Sequence, residues 1–213
     1  MNGPLHLTQR DRAIVAALVL RVRLLSQRQT ADHWWNGDTA NVRRRLSQLA
    51  NHGLVQRITV QARTLPVLES PLISWRPGDP TPDLGSIAWQ CQSRWRGRAV
   101  RPCTAWIATE TAARQFGGVG RGELKHPAQA THDLGVAAVW LRLNEIAPQW
   151  AQAWCGEDVM AHTRRGEKLP DAFIVDGAQK VTGVIEFGGS YDALRVTEFH
   201  EDCVARSLPY QLW

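Results

Sequence analysis

Apolar positions in the first 53 residues recur at helical spacing three times, and each run opens at a capping residue. Ile14, Val15, Leu18, Val19 and Val22 form one stripe over Thr8 to about Arg23, with Thr8-x-x-Asp11 as a capping box. A short helix follows Ser26, where Ser26-x-x-Gln29 repeats that box, and ends near Trp34-Trp35. After the turn Asn36-Gly37-Asp38, a third helix runs to Gly53 with Val42, Leu46 and Leu49 turned inward. On its wheel Arg44, Ser47, Gln48 and Asn51 lie opposite that stripe, and Asn41, Arg43 and Arg45 lie on the flanks. From Leu54 the period changes to two. The run L-V-Q-R-I-T-V-Q-A-R-T is β-type, with Arg57 and Arg63 spaced along it.

Three helices followed by a basic strand predict a helix-turn-helix with a wing. The arginine and amide donors of the third helix suit phosphates and base edges of a major groove. Residues 64–122 are broken by Pro66, Pro71, Pro77, Pro80 and Pro82. Within them Leu72–Trp75 reads as a short strand, Leu84–Trp95 as a helix, Cys103–Ile107 as a strand and Thr109–Phe116 as a helix. This stretch is expected to be an elaborated wing and connector, closing at the glycine-dense loop Gly117–Gly122. From Thr131 the pattern becomes α/β. A helix spans Ala130–Ile146, a hairpin joins Asp171–Asp176 to Val181–Phe187, a helix spans Tyr191–Ser207, and Pro209–Trp213 closes the chain as a strand. The expected organisation is α+β: a winged helix-turn-helix over 1–116, a hinge over 117–130 and an α/β domain over 131–213.

Charge sharpens this division. The net +5 is the sum of +10 over residues 1–130 (18 Lys+Arg against 8 Asp+Glu) and −5 over 131–213 (7 against 12). DNA contact is therefore expected near the N-terminus. No apolar run approaches the ~18 residues of a membrane span, and no signal peptide is legible, which predicts a protein of the bacterial cytoplasm. Cys91, Cys103, Cys155 and Cys203 are scattered without a C-x-x-C pair, which argues against a thiolate zinc site or a disulfide framework.

Candidate chemistry lies in Pro170-Asp171 and Glu186-Phe187-Gly188. An acid at the start of one strand and another at the end of its partner can converge on a divalent cation while a phosphodiester supplies further oxygens. This resembles the PD-(D/E)XK nuclease motif, with Asp171 and Glu186 as metal ligands for magnesium or manganese and Glu157 as a third acid. The third motif position, lysine in that family, is Gly188. Lys180 and Lys168 are the neighbouring lysines that could replace it. The alternative is structural: Asp171 caps a turn and Glu186 ends a strand.

The order of features resembles the replication-relaxation family of plasmid and mobile-element proteins. The matching segments are Leu7-Thr-Gln-Arg-Asp11, Arg44 to Val55, Thr131-His-Asp-Leu-Gly-Val136, Pro170 to Ala172, and Ile185 to Phe187. The resemblance implies a winged helix fused to a restriction-endonuclease-like domain acting on DNA. His132 matches by position and is expected to be a core or interdomain residue.

Two functions are therefore expected in competition. The first is a DNA-binding protein of a mobile element, acting in replication, mobilisation or transcriptional control, with an inactive nuclease-like domain. In it Asn41, Arg44, Arg45 and Gln48 reach bases, and Arg43, Arg57 and Arg63 contact phosphates, with no cofactor required. The second is a magnesium- or manganese-dependent endonuclease using Asp171, Glu186 and Glu157. Double-stranded DNA is the expected partner of both. Self-association as a homodimer, and a replication or mobilisation protein as a further partner, are expected from the use of two-fold sites by winged-helix regulators.

Overall fold

The computed structural model describes residues 5–120, 124, 129–161 and 169–213. In chain order the elements are α1 (Gln9–Leu20), β1 (Leu25–Ser26), α2 (Gln27–Trp35), α3 (Thr39–Asn51), β2 (Val55–Arg63), β3 (Ile73–Trp75), α4 (Leu84–Ser93), β4 (Val100–Ala108), α5 (Glu110–Phe116), α6 (Ala130–Ile146), α7 (Pro148–Ala153), β5 (Trp154–Gly156), α8 (Glu157–Met160), β6 (Ala172–Val175), β7 (Val181–Glu186), α9 (Ala193–Ala205) and β8 (Tyr210–Leu212). The protein is thus mixed α and β. It divides into two compact units, one from the described residues of 1–63 and 100–138, the other from those of 64–99 and 139–213.

In the first unit the caps set the helices. Thr8 accepts from the Asp11 backbone N–H while the Asp11 carboxylate accepts from the Thr8 N–H at 2.7 Å. Ser26 and Gln29 exchange the same pair of bonds. Asn36, in the left-handed region at φ 49°, ends α2, and Asp38 caps α3 by accepting from the Asn41 N–H at 3.0 Å. Val42, Leu46 and Leu49 are fully buried with Ile14, Leu18, Leu25 and Trp106. The antiparallel sheet has the order β1-β4-β2, and β2 pairs with β4 along its whole length, from Val55↔Ala108 to Arg63↔Val100.

That register corrects the expected wing. The strand facing β2 is β4, and residues 64–99 between them belong to the second unit. There β3 pairs antiparallel with β8, Ile73 opposite Leu212 and Trp75 opposite Tyr210. The apolar face of α4 joins the same core, where Ile87, Ala88 and Cys91 are buried with Phe173, Val196 and Phe199. A strand whose partner lies at the far end of the chain leaves no local mark of that pairing, because burial against β8 is what stabilises it.

The glycine-dense loop also departs from its expected role. Val119 N–H donates to the Val19 carbonyl at 3.0 Å, and a Cβ at Gly118 (φ 118°) would collide with that carbonyl. Gly117–Gly120 is therefore packed on α1 within one unit rather than forming a hinge between two. Residues 121–123 and Lys125, also assigned to the hinge, lie outside the described residues.

The second unit is built on a five-stranded mixed sheet of order β3-β8-β7-β6-β5. β5, β6 and β7 run as an antiparallel meander, and β8 joins β7 in parallel, with α9 as the connection. The segment 148–160, which carries α7, β5 and α8, has no clear periodicity in sequence. β5 is a fully buried strand of three residues, too short to express one. No disulfide joins the four cysteines, and Cys91, Cys155 and Cys203 are buried. No described helix is long and apolar enough to cross a membrane.

Replacing residues 66–97 with a short glycine-containing turn should leave the β2–β4 pairing protected from hydrogen exchange. The same replacement should expose the amides of β7 and β8, which lose β3 and α4. Retained protection at Tyr210–Leu212 would show that the inserted segment is dispensable to the second sheet.

Candidate functional site

Two clusters deserve comparison: the outward face of α3 and the acidic edge of the second sheet. On α3, Arg43, Arg44 and Gln48 are exposed. Asn41 is half-buried and engaged at both ends of its amide, donating to Asp38 and accepting from Arg44 Nη2 at 2.7 Å. It orders Arg44 rather than presenting a free amide. On β2, Arg57 and Arg63 are exposed, alternating with buried Val60 and Ala62. Arg57 donates weakly to Thr104 Oγ1 at 3.5 Å. The exposed Arg101, opposite Ala62 on β4, adds a cation that the sequence pattern left unassigned, because its strand could not be paired without the register.

Arg45 does not belong with the base-reading residues. Its Nε donates to Asp11 Oδ1 at 2.9 Å, its Nη2 donates to Asp11 Oδ2 and to the His6 carbonyl, and its Nη1 to Gln48 Oε1 at 2.8 Å. Asp11 is 1% exposed. Burial pushes the Asp11 carboxyl up, but the hydrogen bonds from Arg45 and Thr8 outweigh it and hold the group below its usual 3.8. A flank position on α3 lets the guanidinium reach this buried carboxylate, and leaving that charge unmatched would be costly. The bidentate pair ties the cap of α1 to α3.

The three candidate acids lie in one row. Gly156 is opposite Ala172 and Ala172 opposite Ile185, so Glu157, Asp171 and Glu186 stand side by side where β5, β6 and β7 end. Glu157 N–H donates to the Asp171 carbonyl at 3.0 Å. The two central acids bracket each other's backbone: Asp171 N–H donates to Glu186 Oε2 at 3.0 Å, and Phe187 N–H to Asp171 Oδ2 at 2.7 Å. The Tyr191 hydroxyl donates to Glu186 Oε1. Burial pushes the Tyr191 phenol far up, and the charges of Glu186 and Asp171 raise it further, so it remains a donor. Sequence carries no spacing signal for Tyr191, which reaches Glu186 across the turn after β7.

A divalent metal at this row would have to share carboxylate oxygens that already accept hydrogen bonds. Magnesium needs carboxylate lone pairs directed at one point. Both oxygens of the buried Glu186 already accept, one from a phenol and one from an amide. Among the described residues no group of three His, Cys, Asp or Glu is placed to hold an ion.

The missing lysine has a steric explanation. A Cβ at Gly188 would lie 2.9 Å from Cys91 Sγ and 3.2 Å from Leu212 Cδ1. Helix α4 of the inserted segment thus fills the volume a side chain at 188 would need. Arg94, just past α4, donates to the Trp213 carbonyl at 2.8 Å and lies over the Phe187 ring at 4.9 Å. Lys180 cannot replace the absent lysine, because it sits in the β6–β7 turn, at the opposite end of the hairpin from Asp171 and Glu186. Lys168 lies outside the described residues. His132, half-buried, is 3.7 Å from the buried Asp133, which also faces Arg23 at 3.5 Å.

Redrawn along the structural division, the charge contrast persists. The first unit holds 14 Lys+Arg against 6 Asp+Glu (+8), the second 11 against 14 (−3). No family model, curated protein or solved structure matches this chain.

Arg45→Ala should lower stability by about 3 kcal/mol, since it leaves a buried carboxylate uncompensated. The exposed Arg44→Ala should leave the urea midpoint within about 0.5 kcal/mol of the parent. Asp11 is depressed in the folded state, so its contribution is present above pH 3.8 and is lost in acid as pH falls through the folded value. Arg45→Ala should therefore flatten the acid limb of the stability curve. Equal midpoints for the two variants would refute the structural role of Arg45.

Gly188→Lys should be destabilising by about 1–3 kcal/mol through overpacking against Cys91 and Leu212. Adding Cys91→Ala should recover part of that loss, read from the same urea midpoints.

Proposed function

We propose that this protein is a sequence-reading DNA-binding protein whose α3 enters the major groove, with no nuclease activity of its own. The observation that carries this reading is α3 itself. Its apolar stripe is fully buried, while Arg43, Arg44 and Gln48 face solvent one short turn after α2. The element order α1-β1-α2-α3-β2-β4, with the sheet order β1-β4-β2, supports a winged-helix reading in which Arg57, Arg63 and Arg101 lie along the wing. Arg44 and Gln48 read base edges, Asn41 orders Arg44, and Arg43, Arg57 and Arg63 contact phosphates. The concentration of positive charge in this unit supports phosphate attraction.

The replication-relaxation resemblance supports a role on a plasmid or mobile element, in replication, mobilisation or transcriptional control. A homodimer on a two-fold site, and contact with a replication or mobilisation protein, belong to the same proposal.

A second reading, a magnesium- or manganese-dependent endonuclease, is favoured by one observation. The row Glu157, Asp171 and Glu186 brings three acids together at one edge of the β5-β6-β7 meander, with β8 parallel to β7. The occupied oxygens of Glu186 and the filled space at Gly188 weigh against it.

After selection of a preferred duplex from a random pool, Arg44→Ala should weaken binding to it by about 1–3 kcal/mol and relax preference at one base pair. Unchanged affinity and preference would overturn the assignment of Arg44. Supercoiled plasmid with magnesium or manganese should be retarded but remain closed. Metal-dependent nicking that vanishes in Asp171→Ala would install the endonuclease reading instead.

A further inference from the structure

Arg10 differs from the other cations near α3 in how it is held. It is exposed, in the first turn of α1, and its guanidinium lies over the Trp35 ring at 4.5 Å. Among the described residues it has no carboxylate partner. The nearest acid in sequence, Asp11, is already matched by Arg45, so Arg10 keeps its full charge for an outside anion. Arg10 and Trp35 also line a concavity of about 350 Å³ with Asn41, Arg44 and Gln48. A second concavity, of about 630 Å³, opens on the other side of Arg10 against Trp34. Arg10 is thus a fixed cation on a ridge beside the outward face of α3.

Placement over an indole face holds a guanidinium through the ring's charge distribution without consuming its N–H donors, which remain available. A planar fork with free donors matches a phosphodiester, which it can grip through two parallel hydrogen bonds. In a helix-turn-helix the first helix of the pair, here α2, crosses the DNA backbone, and Arg10 rests on Trp35 at the end of that helix. We infer that Arg10, positioned by Trp35, is a phosphate clamp that takes a backbone phosphate of duplex DNA flanking the bases read by α3. This rests on the DNA-binding reading above and adds to it a contact from α1. Trp35 is a positioning residue: it carries no charge and acts by fixing Arg10.

Binding of an arbitrary-sequence duplex to the full chain, measured between 50 and 200 mM salt, tests the clamp. Arg10→Ala should weaken binding about 5–10-fold near 0.1 M salt and reduce the slope of log affinity against log salt by about one. Arg10→Lys should keep the slope and lose part of the affinity, because the charge remains but the fork does not. Trp35→Phe should retain most of the parent affinity, whereas Trp35→Ala should lose it with a smaller change in slope than Arg10→Ala. Arg10 is exposed, so its variants should keep the parent's urea midpoint, and Arg10→Glu should bind more weakly than Arg10→Ala. A salt slope in Arg10→Ala equal to the parent's would overturn the clamp while leaving the role of Arg44 standing. Absence of any duplex binding by the parent chain would overturn both.

Discussion

The full-length pairing of β2 with β4 is the constraint on which the rest of this architecture depends. Once Arg63 is set opposite Val100, everything between them must leave the β2–β4 pair and return to the same place. Residues 64–99 are therefore an excursion with closed ends, free to be spent on another core without disturbing the first. They supply the second unit with an edge strand, β3, and a buried helix, α4. The first unit in turn keeps its three helices and its sheet as a nearly closed set, packed around Leu18, Leu46 and Trp106.

The excursion also shapes the acidic edge of the second unit. Cys91 of α4 takes the volume beside Gly188, and Arg94 packs over Phe187 while holding the carbonyl of Trp213. The end of β7 at Gly188 is thus closed by helix packing. Asp171 accepts from the Phe187 N–H and Glu186 from the Asp171 N–H, and the Tyr191 hydroxyl donates to Glu186. A carboxylate whose oxygens already accept good hydrogen bonds is stabilised as a structural group, and recruiting it to a cation means giving those bonds up. The segment 64–99 thereby links the close packing at Gly188 to the core beside the acids.

In the first unit, the division of labour among arginines follows from where the buried carboxylate lies. Asp11 must be inside to cap α1, and an inside charge needs a partner. Arg45 provides it and is half-buried in doing so, with its donors committed to Asp11, His6 and Gln48. Arg43 and Arg44, two residues and one residue earlier, have no such demand on them and stay outward. Arg10 is held by an aromatic face instead of an acid, so its charge remains available.

Helices and strands were legible wherever burial imposes a period. The stripes at Ile14–Leu18 and Val42–Leu49, the capping boxes at Thr8 and Ser26, and the hairpin around Gly177 could all be read from neighbouring residues, because the forces that set them act within a few positions. The candidate acids were legible for the same reason, as was the cationic face of α3. Tertiary structure alone decided the partner of β3, the membership of residues 64–99, the packed state of Gly117–Gly120, the burial of Arg45 against Asp11 and the phenol on Glu186. Each of these depends on two segments distant in sequence competing for one volume or one hydrogen bond. Local periodicity records which face of an element is buried, but it does not record what buries it.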